Sequence, residues 1–214
     1  MDKDHKKYWN DEASKFDAIY SGEKATFSQF LDKIFRKDMF ERLEFTIKEL
    51  EPIENRSFLD VGCGSGRYCL ELCLRGGRKV VGIDISPLMI NLAKNITKKY
   101  NCESKCEFIV GGIFNYESNE IFDITLGLGL LDYVKEPLPL LKKMRELTKD
   151  KVILSFPRLN TWRAPVRKIR LSLKGYVVYF FTKKKIQYLM TQAGFERFKI
   201  EKIRKLYCVV GYCD

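Results

Sequence analysis

From residue 57 onward short apolar runs alternate with longer amphipathic stretches, and this alternation restricts the fold more than any other feature of the chain. Ser57–Val61, Lys79–Ile83, Cys106–Val110, Phe122–Leu126 and Lys151–Phe156 have the composition of strands buried on both faces. Between them, 66–75, 86–100 and 136–149 carry apolar residues at helical spacing. Buried strands joined by helices predict a parallel sheet with crossover helices. The end of the chain departs from this rhythm. After a predicted helix at 183–193 closed by Gly194, Phe195–Lys202 and Lys205–Tyr212 follow with only a two-residue gap, which predicts an antiparallel hairpin. Ile203 and Arg204 are poor residues for the tight turn that this pairing needs. Residues 1–50 read as helical, with aromatics such as Tyr8, Phe16 and Tyr20 interleaved with charges and Pro52 ending the last helix.

At 214 residues the chain suits one core. The expected organisation is a helical cap over 1–50, part of the same domain as 51–214. Hydrophobic residues at 45% and charged residues at 31% are those of a globular protein. The opening residues hold no apolar h-region, and no apolar run approaches the roughly 18 to 20 residues that span a bilayer, so a cytoplasmic protein is expected. The seven cysteines form no C-x-x-C pair and the only histidine is His5, so no metal set is expected and the thiols read as reduced, small buried hydrophobes. The net charge of +11 is unevenly placed: 151–214 hold 15 Lys/Arg against 3 Asp/Glu. A basic surface there fits anionic partners, whether small acids, anionic lipid headgroups or nucleic acid.

The sharpest motif is Asp60-Val-Gly62-Cys63-Gly64-Ser65-Gly66, between a predicted strand and a predicted helix. Glycines let the backbone turn tightly and approach a ligand, and the following helix start presents free N–H donors. A dinucleotide loop would need its third glycine where Arg67 stands, so the spacing argues against NAD. Val80-Val-Gly-Ile-Asp84 then ends the second strand in a carboxylate, the group that accepts hydrogen bonds from both hydroxyls of a ribose. Loop and carboxylate agree on a nucleoside-containing ligand.

With these residues the chain resembles the class I S-adenosylmethionine-dependent methyltransferases, whose first motif is D-x-G-x-G-x-G and whose second strand ends in an acid. Ile83-Asp84-Ile85-Ser86-Pro87-Leu-Met89 and the closing hairpin extend the likeness over most of the chain. The resemblance implies a Rossmann-like, doubly wound seven-stranded α/β sheet, five strands parallel plus the antiparallel hairpin, with S-adenosyl-L-methionine as cofactor and S-adenosyl-L-homocysteine as product. It further implies that Asp60, Gly62, Cys63, Gly64 and Gly66 line the amino-acid half of the cofactor, with Asp84 and Ile85 at the ribose and adenine edge and Met89 beside the adenine. Gly112 and Ile113 after strand three, and Gly127 and Leu128 after strand four, complete that set. The acid usual after strand three is absent from Val110-Gly111-Gly112-Ile113-Phe114, where either backbone and Asn115 replace it or cofactor affinity is lower.

Strand four runs into Leu128-Gly129-Leu130-Leu131-Asp132-Tyr133, where substrate and methyl group meet in that family. Asp132 or Tyr133 can orient or deprotonate an acceptor hydroxyl; a helix-cap Asp and a core Tyr are the alternatives. No N/D-P-P-Y/F and no Pro-Cys follows strand four, which disfavours base or amide N-methylation and cytosine C5 chemistry. In detail YWNDEASKFDAIY, LDYV and SFP resemble the ubiquinone-pathway and magnesium-protoporphyrin O-methyltransferases, which implies O-methylation of a small or lipid-linked acceptor without fixing which, and the basic C-terminal third fits an anionic one. Tyr20 in the cap and Trp162, Arg163 and Arg167 in the basic stretch 158–174 are the candidate substrate residues. Peripheral contact with an anionic membrane fits the basic charge, whereas nucleic acid is disfavoured because no RNA-binding module is recognisable. N- or C-methylation, or an RNA-binding or inactive protein of this fold, are the alternatives; the oligomeric state is not readable.

Overall fold

The computed structural model describes residues 40–117, 120–159, 161, 169, 172 and 177–213. Helix α1 covers 40–50 and leads into β1 (Ser57–Val61). There follow α2 (Arg67–Leu74), β2 (Lys79–Asp84), α3 (Pro87–Lys99), β3 (Cys106–Val110), β4 (Phe122–Gly127), α4 (Pro137–Glu146), β5 (Thr148–Pro157), α5 (Lys183–Gln192), β6 (Phe198–Ile203) and β7 (Leu206–Tyr212). Two short 3-10 turns, Ile113–Asn115 and Leu131–Tyr133, sit directly after β3 and β4.

The strands make one sheet in the order β3-β2-β1-β4-β5-β7-β6. β1 to β5 run parallel, and β7 is antiparallel to both β5 and β6. This is the doubly wound seven-stranded sheet expected from the alternation. Because successive strands move outward from β1 in one direction and from β4 in the other, the chain reverses at the β1/β4 junction. In such sheets a crevice opens there beyond the carboxyl ends of the strands.

Neighbouring residues on the central strands feed opposite cores, which is why those strands read as continuous apolar runs. Phe58, Val80, Leu126, Ile153 and Val210 pack with Leu50, Cys69, Leu72 and Ile90 of α1 to α3. Leu59, Val81, Leu154 and Val209 pack on the other face with Leu141, Met144, Ile186 and Met190 of α4 and α5. All but Ile90 (1%) have zero exposure, and full burial of such a side chain contributes about 1.5–3 kcal/mol. Two helix starts are set by their caps: the Ser86 hydroxyl accepts from Met89 N at 3.2 Å ahead of Pro87, and the Thr182 hydroxyl accepts from Lys185 N at 3.2 Å. α2 has no side-chain cap, so its first N–H groups remain available.

Three sequence expectations are corrected. The hairpin turn is Arg204-Lys205, one residue later than expected, with Ile203 paired to Leu206 and Arg204 at φ 49°. Fixing the register, β7 matches β5 from Lys151↔Tyr212 to Pro157↔Leu206, and that tertiary pairing outweighs the poor turn chemistry. The helix expected over 136–149 stops at Glu146, since β5 already begins at Thr148. Cys73 and Cys102 are joined as a disulfide between the end of α2 and the turn after α3, 29 residues apart in sequence, because α2 packs on α3. Cys63, Cys69, Cys106 and Cys208 are free and buried.

Candidate functional site

The glycine loop leaves β1 and enters α2 at the β1/β4 junction. Gly62 N and Cys63 N both donate to Ile83 O, at 2.7 and 3.1 Å, and Gly66 N donates to Cys63 O at 3.1 Å. Asp84, last residue of β2, ties the two loops together: its Oδ2 accepts from Gly64 N at 3.0 Å and its Oδ1 from Ser86 N at 2.9 Å. An ionised carboxylate has about four acceptor positions, so capacity remains for a ligand hydroxyl beyond these backbone N–H groups. Burial raises the Asp84 pKa, and the backbone N–H groups of Ser86, Gly64 and Ile85 counteract it. Two glycines do different jobs. At Gly66, φ 76°, a Cβ would stand 2.7 Å from the Ala93 Cβ, so this glycine lets α2 press onto α3. At Gly64, φ 54°, a Cβ would meet nothing within 4 Å, so its outer side faces open space.

Beneath the loop, Asp60 is 2% exposed and accepts from the Cys69 thiol at 3.5 Å. Burial drives its pKa up to about 7, helped by the nearby Asp84 and opposed by Cys69 and Arg42. Arg42 of α1 reaches into the same junction. Its Nε donates to the Tyr68 hydroxyl at 3.1 Å, and the Cβ that Gly129 lacks would lie 3.3 Å from its Nη1. Although burial disfavours the charge, Tyr68 and Asp132 outweigh it and the Arg42 pKa is raised. A half-buried guanidinium thus stands between the start of α2 and the loop after β4, where sequence patterning pointed to no cation.

On the neighbouring edge, Gly111 N donates to Asp84 O at 2.9 Å, drawing the β3 loop against β2. Gly111 and Gly112 face open space, Ile113 is buried, Ile85 is half-buried, and Asn115 is exposed at the end of the 3-10 turn. Met89 is fully buried under the loop after β2. After β4, Leu128 is buried and Gly129 N donates to the Ser155 hydroxyl at 2.8 Å. At Gly127 a Cβ would meet Met144 Cε at 2.9 Å and Leu154 Cδ2 at 3.0 Å, so this position also lets α4 and β5 pack closely. Asp132 and Tyr133 are buried in the turn beyond, and Tyr179 N donates to Asp132 O at 2.8 Å.

The structure therefore brings Asp60, Gly62, Cys63, Gly64, Gly66, Asp84, Ile85, Gly112, Ile113 and the Asp132-Tyr133 turn to one edge of the sheet. Tyr20, Trp162, Arg163 and Arg167 lie outside the described residues. Arg42 and Tyr179 were missed by sequence reasoning, and Ser155 entered it only as part of the SFP run. Arg42 looked like one more charge on an amphipathic helix, and only its neighbours across the fold distinguish it. Among the described residues no three metal-ligating side chains cluster.

Residues 53–194 match the family model of a methyltransferase domain. Magnesium protoporphyrin IX methyltransferase from Synechocystis PCC 6803, solved with bound SAH, shares the fold with a TM-score of 0.78 at 20% identity, covering 98% of each chain. A putative O-methyltransferase from Nostoc punctiforme PCC 73102 superposes with a TM-score of 0.70 at 18% identity over 84% of this chain and 58% of that one. Among curated proteins, the tRNA U34 carboxymethyltransferase of Shewanella halifaxensis is 30% identical over 116 residues, 54% of this chain and 34% of the relative. That of Histophilus somni is 32% identical over 121 residues, 56% and 37% of the two. The chain spans about a third of the length of these curated relatives. With the family model covering well over half of the sequence, the chain belongs to the methyltransferase-domain family.

Proposed function

We propose that this protein is an S-adenosylmethionine-dependent methyltransferase that methylates a hydroxyl or carboxyl oxygen of a small or lipid-linked, anionic acceptor. The observation that carries the reading is the Asp84 carboxylate, tied to Gly64 N and Ser86 N beside a glycine whose outer face is open. These residues fit the cofactor. Asp84 would accept from the ribose hydroxyls, and Ile85 with Ile113 would flank the adenine. Gly111 and Gly112 leave room for close backbone approach there, in place of the acid that this family usually has after strand three. At the other end the Arg42 guanidinium suits the cofactor's amino-acid carboxylate, as a charge-assisted pair.

When bound, the sulfonium cofactor supplies an electrophilic methyl group with a neutral thioether as leaving group. The protein's share is positioning and exclusion of water. Asp132 and Tyr133, in the buried turn Leu131–Tyr133 to which Tyr179 N is bonded, would orient the acceptor oxygen or take its proton. Asp60, once ionised, would supply negative charge toward a positively charged cofactor.

Calorimetric titration with S-adenosylmethionine, S-adenosylhomocysteine and NAD tests the cofactor assignment: both sulfur ligands should bind and NAD should not. No heat from either sulfur ligand at millimolar concentration would sink it. A uridine of tRNA is the second reading, favoured by the activity of the curated relatives. Release of S-adenosylhomocysteine with bulk tRNA, but with no carboxylate or phenol acceptor, would establish that reading instead.

A further inference from the structure

The sheet edge that carries the glycine loop continues past β5 into a basic rim. Since Pro157 pairs with Leu206, the Arg204-Lys205 turn lies at the same edge as the carboxyl ends of the parallel strands. Arg158 N donates to Lys205 O at 3.0 Å, and Phe181 N donates to Pro157 O at 2.8 Å. These bonds bring the first turn of α5 to that edge as well. The turn holds Lys183, Lys184 and Lys185 and no acidic residue. All three are exposed, and none forms an ion pair with another described residue.

Cations at a helix start oppose the helix dipole, each at a cost of about 0.3–1 kcal/mol, so this triplet does not serve the stability of α5. Apolar side chains stand exposed in the adjoining segments: Leu159, whose N donates to Phe181 O, is 48% exposed, Tyr188, under the Lys185 ammonium at 5.0 Å, 55%, and Val177, in the stretch that leads to Phe181, 54%. Phosphate alone would satisfy the lysines and leave Leu159 and Val177 against water. An anionic bilayer satisfies both, with lysines at the headgroups and apolar side chains at the acyl boundary.

We propose that this rim docks the protein on an anionic lipid bilayer, delivering a lipid-linked acceptor to the crevice. The inference rests on the lipid-linked form of the acceptor proposed above. The test is co-sedimentation of the full chain with phosphatidylserine-containing and with pure phosphatidylcholine vesicles. Wild type should partition onto the former and not the latter. Lys183→Glu/Lys184→Glu/Lys185→Glu should lower that partitioning by about tenfold or more. The triple variant should fold, because acids at a helix start favour the dipole. Leu159→Ser/Val177→Ser should lower partitioning by about threefold, and that loss should persist at high salt, where electrostatic adsorption is screened. Equal binding to both vesicle types, no binding to either, or unchanged partitioning in the triple variant would overturn the inference. So would displacement from the vesicles by bulk tRNA at charge-equivalent concentration, which would identify the rim as an RNA surface. S-adenosylhomocysteine titration of the same preparations keeps the two proposals apart. Failed sedimentation with intact cofactor binding removes only the docking, whereas absent cofactor binding in wild type removes the enzymatic reading and with it the delivery of an acceptor, even if the rim still binds vesicles.

Discussion

Gly64 and Gly66 stand two residues apart in one motif and both have positive φ, yet their substitution by alanine should fail in different ways. At Gly64→Ala the new methyl meets nothing within 4 Å, and only the left-handed backbone is strained, at φ 54°. That strain costs about 1–2 kcal/mol. For a chain of this size it lowers Tm by about 2–8 °C. At Gly66→Ala the same backbone cost applies, and the methyl is also driven to 2.7 Å from Ala93 Cβ and 3.1 Å from Ala93 Cα. Overpacking adds about 1–3 kcal/mol, for a total of about 2–5 kcal/mol. The open side of Gly64 is where the cofactor should approach, so Gly64→Ala should weaken S-adenosylhomocysteine by at least about 1.4 kcal/mol, tenfold in Kd. Urea denaturation and calorimetric titration of both variants separate the effects. If Gly64→Ala binds the ligand like wild type while losing as much stability as Gly66→Ala, the open side of Gly64 is not a ligand face and the reasoning is refuted.

Asp84→Asn keeps the shape of the side chain but replaces one acceptor oxygen by a donor, and should weaken the cofactor by about 1.5–3 kcal/mol in titration, with folding retained. Arg42→Gln should raise the cofactor Kd by a similar factor, about 10- to 150-fold, and Arg42→Lys should recover part of it; an unchanged Kd in a folded Arg42→Gln protein would place the guanidinium outside the ligand's reach. Asp60 has a folded pKa of about 7 against an ordinary 3.8, so the folded state holds the extra proton between those values. Its contribution to stability is therefore complete below about pH 4 and is lost as pH rises through about 7. Urea midpoints should show this fall in wild type and a flatter profile in Asp60→Asn.

The central strands were legible because both of their faces are buried, so that Phe58-Leu59, Val80-Val81 and Ile153-Leu154 read as unbroken apolar runs whatever core each residue joins. Asp84 was legible from its distance to the glycines and its place at a strand end. Arg42 was not, because what sets it apart is Tyr68, Gly129 and Asp132, three residues brought together only by the sheet. The Cys73–Cys102 link was hidden for the same reason: 29 residues separate the two, and the contact exists only once α2 lies on α3. The hairpin was visible as two adjacent strands, but its turn was misplaced by one residue because an arginine at positive φ carries no local signal. Gly127 also has a packing role that the sequence did not show, since a Cβ there would meet Met144 Cε at 2.9 Å.

β7 lies between β5 and β6, although it is synthesised after both. Until it emerges from the ribosome, β5 presents an open hydrogen-bonding edge whose partner does not yet exist, and β6 has no neighbour at all. The nascent chain can form the parallel half of the sheet early, but closure of both cores waits for Cys208, Val209 and Val210, each with zero exposure. Vectorial folding therefore ends with an insertion between two waiting strands, a non-local and intrinsically slow pairing. In the interval the unpaired β5 edge is the segment most open to association with other chains, and the place where a chaperone would be needed.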